Sequence, residues 1–357
     1  AGARPARSAA LCSGRPPMTD PAGHSQRCWV RQVRVSSGAR CCRRTIDGGV
    51  VDMRAWVVDR GSADGVSLRD VPEPEPVSGE VLVDVRAFSI NRGETRMLAT
   101  ASDGWCPGWD FAGVVASDAP DGFRAGTRVV GIRQGATWAE RVSVRRDWLA
   151  ELPPQVSFAE GAVLPTAGLT ALRTLRLGPA ILGRRVLVTG AAGGVGRFAI
   201  QLAHLGGADV TALVSTSSLR TEGLATLGAD AIASDVDDVA GRFDLILESV
   251  GGATLARLLT KVDPLGTLVM FGNSSDEPTT FNARDVYNDA LVRIQGFELF
   301  CGGEPFGRDL GYLARLVSSH ALDPQLAATS PWEGLPGAVE ALRRREVAGK
   351  VAVLLEP

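Results

Sequence analysis

Gly190, Ala192, Gly193, Gly194, Val195 and Gly196 form the stretch of this chain best suited to hold a phosphate. They sit in the run Val186-Leu187-Val188-Thr189-Gly190-Ala191-Ala192-Gly193-Gly194-Val195-Gly196. Apolar and β-branched residues lead into a glycine-rich turn, and Phe198-Ala199-Ile200-Gln201-Leu202-Ala203 continues at helix-compatible spacing. Glycines let a backbone come close to a pyrophosphate, and the free N–H groups of a helix N-terminus face the anion. A glycine cluster alone would also serve an ordinary tight turn. Here the strand before and the helix after, both required by a dinucleotide motif, are present. Phe271 and Gly272, closing a later apolar run, are further candidates for cofactor contact.

The residues after the second strand separate the two nicotinamide cofactors. An Asp or Glu there binds the ribose 2′-OH of NAD and repels a 2′-phosphate. In this chain Val210–Val214 runs into Ser215-Thr216-Ser217-Ser218-Leu219-Arg220, which holds no acid. Ser215, Ser217, Ser218 and Arg220 suit a 2′-phosphate, Arg220 through charge-assisted hydrogen bonds. Ser217 and Ser218 read equally as a plain helix N-cap. NADPH is therefore expected in preference to NADH.

The elements that must position these groups fall into two patterns. From Met53 to about Leu172, short β-like runs (Arg54–Val58, Glu80–Phe88, Gly113–Ala116, Thr127–Gly131, Ala139–Val144) alternate with turn residues. That is the pattern of an irregular barrel. After Leu172 the rhythm changes to strand Arg185–Thr189, helix Arg197–Leu205, strand Val210–Val214 and helix Leu219–Leu227. Strands at Ala231–Ala233, Leu245–Glu248 and Thr267–Phe271 follow. Strand and helix alternating at this spacing predict an α/β fold with a parallel, doubly wound sheet. Helices at Leu310–Val317 and Gly337–Arg345 and a strand at Lys350–Leu355 close the chain.

A chain of 357 residues, 45% apolar and 22% charged, is long enough for two domains with their own cores. Its net charge of −2 does not suit a nucleic-acid surface. No run reaches the roughly 18–20 apolar residues of a membrane span. Residues 1–52 differ from the rest: they carry nine Arg, three Asp and four of the six cysteines (Cys12, Cys28, Cys41, Cys42), without periodicity. Arg- and Ser-rich, acid-poor leaders occur as organelle transit segments. The reading preferred for 1–52 is a disordered tail, or upstream read-through before Met53. Beyond it only Cys106 and Cys301 remain, which is no disulfide framework and points to the reducing cytoplasm.

Barrel, nucleotide-binding sheet and a return to the barrel resemble the medium-chain dehydrogenase/reductase superfamily, in its zinc-independent quinone oxidoreductase-like branch. Ser89-Ile90-Asn91-Arg92-Gly93-Glu94 resembles its Asn-x-x-Asp/Glu segment, and Pro107-Gly108-Trp109-Asp110-Phe111-Ala112-Gly113 its Pro-Gly-x-Asp/Glu-x-x-Gly signature. Gly126-Thr127-Arg128-Val129, Trp138-Ala139-Glu140, Leu164–Ala171 and Gly349-Lys350-Val351 match further segments in order. The resemblance implies a GroES-like irregular β-barrel catalytic domain over 53–173 and 302–357, around a Rossmann domain over 174–301. It adds Arg345 as a second partner for a 2′-phosphate. It also sets Asp235 in the same pocket, where a carboxylate would oppose the phosphate.

Zinc relatives need three or four converging Cys, His or carboxylate ligands. The histidines here are His24, His204 and His320. Ser89–Asn91 stands at the first zinc-ligand position of those relatives, and Gly108-Trp109-Asp110 where they have Gly-His-Glu. No zinc is expected. Without a Lewis acid for an alkoxide, the expected reaction is hydride transfer from NADPH to an activated acceptor, a quinone or an α,β-unsaturated carbonyl. Asn91 is the candidate donor to the developing oxyanion, or alternatively a turn-forming side chain. Thr166 is placed near the nicotinamide. Trp138 is read as an aromatic wall or a core residue, and Tyr287 as a proton donor or an interface residue. A pathway-specific enoyl or enone reductase is the enzymatic alternative, and a nucleotide-binding structural or sensor protein with little turnover is the alternative of another class. A homodimer is expected, formed through the edge of the nucleotide-binding sheet.

Overall fold

Glu80–Ile90, an eleven-residue strand, is the spine of the first lobe. Its register slips between Val85 and Ala87, and such an irregularity bends a strand and raises its twist. The bend lets the two halves pair in different directions. Glu80–Asp84 faces Arg141–Arg145, and Ala87–Ile90 faces the closing strand Lys350–Leu354, both antiparallel. On the other side Val83–Phe88 pairs with Asp110–Val115, which continues to Arg128–Ile132 and Leu149–Glu151. The result is a curled sheet around Val83, Phe88, Phe111, Trp138 and Val142, all fully buried. The hairpin of Asp52–Val58 with Val66–Pro72 packs on it, Trp56 and Val66 entering the same core.

The structure is a computed structural model that describes residues 45–46, 49–50, 52–119, 122–215, 221–287 and 291–355. All of these lie in one compact unit, Ala39–Pro357.

The second lobe is a six-stranded, all-parallel sheet. From edge to edge its strands are Ala231–Ala233, Asp209–Leu213, Arg185–Thr189, Phe243–Glu248, Val262–Met270 and Arg293–Gly296. Counted along the chain that is 3-2-1-4-5-6, the order of dinucleotide-binding folds, with its crevice at the carboxyl ends of the first and fourth strands. Both faces are covered, as a parallel sheet requires. Leu187, Ile246 and Leu268 pack into one cluster, and Val186, Val188, Leu245, Leu247 and Val269 into another.

Several boundaries differ from expectation for identifiable reasons. The helix after the loop starts at Gly194, not Arg197, because the glycines themselves form its first turn behind the N-cap Gly193. The described part of the expected helix Leu219–Leu227 runs instead through turns closed by Leu224 N to Thr221 O and Leu227 N to Gly223 O. Helix Pro165–Arg176 crosses residue 173 and packs on Gly194–Leu205, tying the lobes together. Asp52 already belongs to a strand, and Thr45–Ile46 pairs with Gly49–Val50, inside the segment expected to lack structure.

Candidate active site

A cleft of about 870 Å³ separates the lobes at the crevice of the parallel sheet. The glycine loop forms one wall. Gly190 has φ +57°, a conformation side chains resist, and an added Cβ would stand 2.7 Å from Ser249 Oγ. A Cβ at Gly196 would meet backbone, 2.6 Å from Ala191 Cα. Ala192, Gly193, Gly194 and Val195 line the same wall, and Phe271 and Gly272 border it. Helix Gly194–Leu205 therefore begins at the cleft with no acidic residue in its first turn, leaving N–H groups free to meet an anion. The residues fit a dinucleotide pyrophosphate.

The opposite wall carries Asn91 and Thr166, and behind them lies a buried polar network. Asp110, fully buried, accepts at Oδ2 from Ser89 Oγ (2.7 Å), Asn91 Nδ2 (2.8 Å) and Lys350 Nζ (3.4 Å). Its Oδ1 accepts from the backbone N of Thr166 (2.9 Å) and from Thr166 Oγ1. Lys350 Nζ also donates to Asn91 Oδ1 and to the carbonyl of Ile90 (3.3 Å). Buried charges survive only with such satisfaction. Glu94, fully buried one turn into helix Arg92–Met97, accepts from the Asn91 backbone N–H. Burial first, and the nearby charge of Asp110 second, push its carboxyl up to about 8, against the opposing pull of Lys350.

At the far end of the cleft Ser215 and Arg345 line the wall, and Arg345 adopts φ +60°. Ser217, Ser218 and Arg220 lie outside the described residues. Asp235 also lines this end, but Arg257 Nη2 pairs with both Asp235 Oδ1 and Asp237 Oδ1, each at 2.6 Å. The Arg257 guanidinium holds the Asp235 carboxyl below the usual range. The charge that opposed a phosphate is thus matched by a cation that the sequence reading missed.

Two expected catalytic residues are placed elsewhere. Trp138 has no exposed surface and stacks on Phe88 at 5.8 Å in the barrel core; it does not border the cleft. Tyr287 is 57% exposed on the short helix Arg284–Tyr287, again away from the cleft. Trp109 and Phe300, in edge contact at 5.9 Å, form the aromatic wall instead. Lys350 was legible only as part of a closing-strand motif, and its role appears once register sets Val351 opposite Ile90. Among the described residues no three His, Cys, Asp or Glu side chains converge as metal ligands. The residues at this centre do not fit zinc: Ser89 and Asn91 are hydrogen-bonded to Asp110, and Trp109 is an indole. Among the described residues no helix is long and apolar enough to cross a membrane.

Comparison with known proteins agrees with this architecture. The alcohol dehydrogenase GroES-like domain family matches residues 77–169, and the zinc-binding dehydrogenase family matches residues 194–306. The spectinabilin polyketide synthase system protein NorB of Streptomyces orinoci is 30% identical over 327 residues, covering 87% of this chain and 15% of that protein. The chloroplastic NADPH-dependent alkenal/one oxidoreductase of Arabidopsis thaliana is 33% identical over 224 residues, covering 56% of this chain and 58% of that protein. The chain thus spans less than two thirds of these curated relatives. The quinone oxidoreductase from Coxiella burnetii superposes with a TM-score of 0.72 at 26% identity, covering 86% of this chain and all of that one.

Proposed function

Because the chain belongs to the medium-chain dehydrogenase/reductase superfamily, quinone oxidoreductase-like, we propose that it reduces a quinone or an α,β-unsaturated carbonyl with NADPH, without zinc. The observation that carries this reading is the pairing, across one cleft, of a glycine cradle with an Asn91–Thr166–Asp110–Lys350 network that is not a zinc ligand set.

NADPH, when bound, would supply the hydride to the electron-poor carbon of the acceptor, and the oxyanion left would take its proton from solvent. The loop Gly190–Gly196 would hold the pyrophosphate, and Ser215, Arg345 and Arg257, which line the cleft, would face the 2′-phosphate. Arg220, Ser217 and Ser218 are proposed to join them from the sequence. Thr166 Oγ1 spends its proton on Asp110, so it retains acceptor capacity only and suits a donor such as the nicotinamide carboxamide. Asn91 Nδ2 spends one N–H on Asp110 and keeps the other for the acceptor oxygen that gains charge. Such a donor contributes roughly 3 kcal/mol to the transition state. Trp109 and Phe300 give the acceptor a flat apolar wall.

The match to a polyketide synthase over 87% of the chain favours a second reading, an enoyl reductase serving one biosynthetic intermediate. We propose a cytoplasmic homodimer paired through the edge strand of the parallel sheet, Arg293–Gly296. NADPH and NADH oxidation against quinones, enones, enoyl thioesters and aldehydes separates these readings. Turnover with quinones and simple enones supports the first, and turnover with enoyl thioesters alone supports the second. Cofactor binding without turnover of any acceptor would leave a nucleotide-binding protein, and activity lost to a chelator would overturn the zinc-free reading.

A further inference from the structure

Lys350 is buried at 4% exposure, pairs with Asp110, and takes no part in the proposed hydride transfer itself. We propose that it is a positioning residue that fixes the Asn91 amide as a donor to the cleft and spaces that amide from the glycine loop. This rests on the reading of Asn91 as donor to the acceptor oxygen.

The oxygen and nitrogen of an Asn amide are nearly equal in shape, so only its partners decide which way it points. An ammonium offers donors alone, and a carboxylate paired with it offers acceptors alone. Lys350 Nζ meets Asn91 Oδ1 and Asp110 Oδ2 meets Asn91 Nδ2. The flipped amide would set oxygen against carboxylate and N–H against ammonium. Two charges of opposite sign therefore lock one orientation, and the Nδ2 hydrogen not used by Asp110 is left for the cleft. A buried ion pair is a weak source of net stability, so its placement here is better explained by orientation.

The same side chain reaches the cofactor wall. An added Cβ at Gly194, the first residue of the loop helix, would stand 2.9 Å from Lys350 Cδ and 3.4 Å from its Cγ. The lysine stem thus lies against the loop while its tip holds Asn91. Its backbone is fixed as well: Lys350 N donates to Gln325 O at 2.9 Å, and the strand register puts it beside Asn91.

The test is a double-mutant cycle of Lys350→Met and Asn91→Ala, followed by NADPH oxidation with 1,4-naphthoquinone, or with whichever panel acceptor turns over. Lys350→Met is expected to lower kcat at least tenfold while the KM for NADPH shifts less than threefold. The double variant is expected to match Asn91→Ala within twofold, since a residue acting through Asn91 adds nothing once Asn91 is gone. Lys350→Arg, which keeps the donor charge, is expected to recover part of kcat. Full kcat in Lys350→Met, or a double variant slowed by the product of the single effects, overturns the proposal. Full kcat in Asn91→Ala with slow Lys350→Met overturns the donor reading of Asn91 itself. If Lys350→Met does not fold, Lys350→Gln, which keeps a polar tip but removes the charge, takes its place. It should lower kcat at least threefold in the parent and add nothing beyond Asn91→Ala in the double variant; unchanged kcat in the parent overturns the proposal.

Discussion

Glu94 and Asp110 are two fully buried carboxyl groups beside one ammonium, and the negative charge of Asp110 helps keep the proton on Glu94. The folded-state value of about 8 lies above the ordinary 4.5. Between those values the folded protein keeps a proton that the unfolded chain has released. The stability this confers is complete below about pH 4.5 and is lost as pH rises through about 8, at roughly 1.4 kcal/mol per unit. Glu94→Gln imitates the protonated acid. Thermal midpoints measured from pH 5 to 9 should therefore show a decline in the parent that the variant lacks. Parallel profiles would mean that Glu94 does not set this slope.

The loop glycines differ in what a methyl group would strike. At Gly196 it meets Ala191 Cα and the Gly190 carbonyl, both at 2.6 Å, and backbone there has nowhere to go. Gly196→Ala is expected to cost about 1–3 kcal/mol of stability and to weaken NADPH binding at least tenfold by moving the phosphate-facing turn. At Gly193 the nearest atom is the Gly190 carbonyl oxygen at 3.2 Å, so Gly193→Ala should weaken binding less. Fluorescence titration of NADPH against both variants reads the order, and equal losses would argue against backbone crowding as the cause.

Most of the second lobe's sheet was legible because the centres of its strands, such as residues 186–188 and 245–247, are apolar runs; the edge strand Arg293–Gly296, with its polar and half-exposed residues, was not. Val66–Pro72 and Leu326–Pro331 escaped notice because half-exposed strands carry polar residues in no clean alternation. The glycine loop, Asn91 and Thr166 were found because their chemistry is local to a motif. Lys350, Asp110 and Glu94 meet only through strand register and burial, which one-dimensional spacing does not encode. Trp138 stayed open between wall and core for a related reason: an aromatic side chain beside a motif does not announce which face of the barrel it occupies, and here it faces the core.

Arg257 is held by two carboxylates at the end of the cleft proposed for the 2′-phosphate. Removing its guanidinium leaves Asp235 and Asp237 unmatched there. Arg257→Ala should then weaken NADPH more than NADH, lowering the preference for NADPH about fivefold, and the difference should shrink as salt screens the exposed charges. Dissociation constants for both cofactors at low and high ionic strength test this. Equal losses for the two would place Arg257 outside phosphate recognition.

Trp138 separates packing from catalysis. Its ring is fully buried against Phe88, and its Nε1 is buried without a hydrogen-bond partner among the described residues. An unpaired buried N–H costs about 1–3 kcal/mol, so Trp138→Phe removes that penalty while leaving a cavity smaller than the lost indole. The two effects oppose each other, and the net loss should stay below about 2 kcal/mol. Trp138→Ala loses the ring outright and should cost about 3–5 kcal/mol. Denaturant unfolding measures both. Steady-state rates of the folded Trp138→Phe protein should stay within twofold of the parent, because no atom of the ring borders the cleft. A tenfold fall in kcat with stability retained would return Trp138 to the acceptor wall.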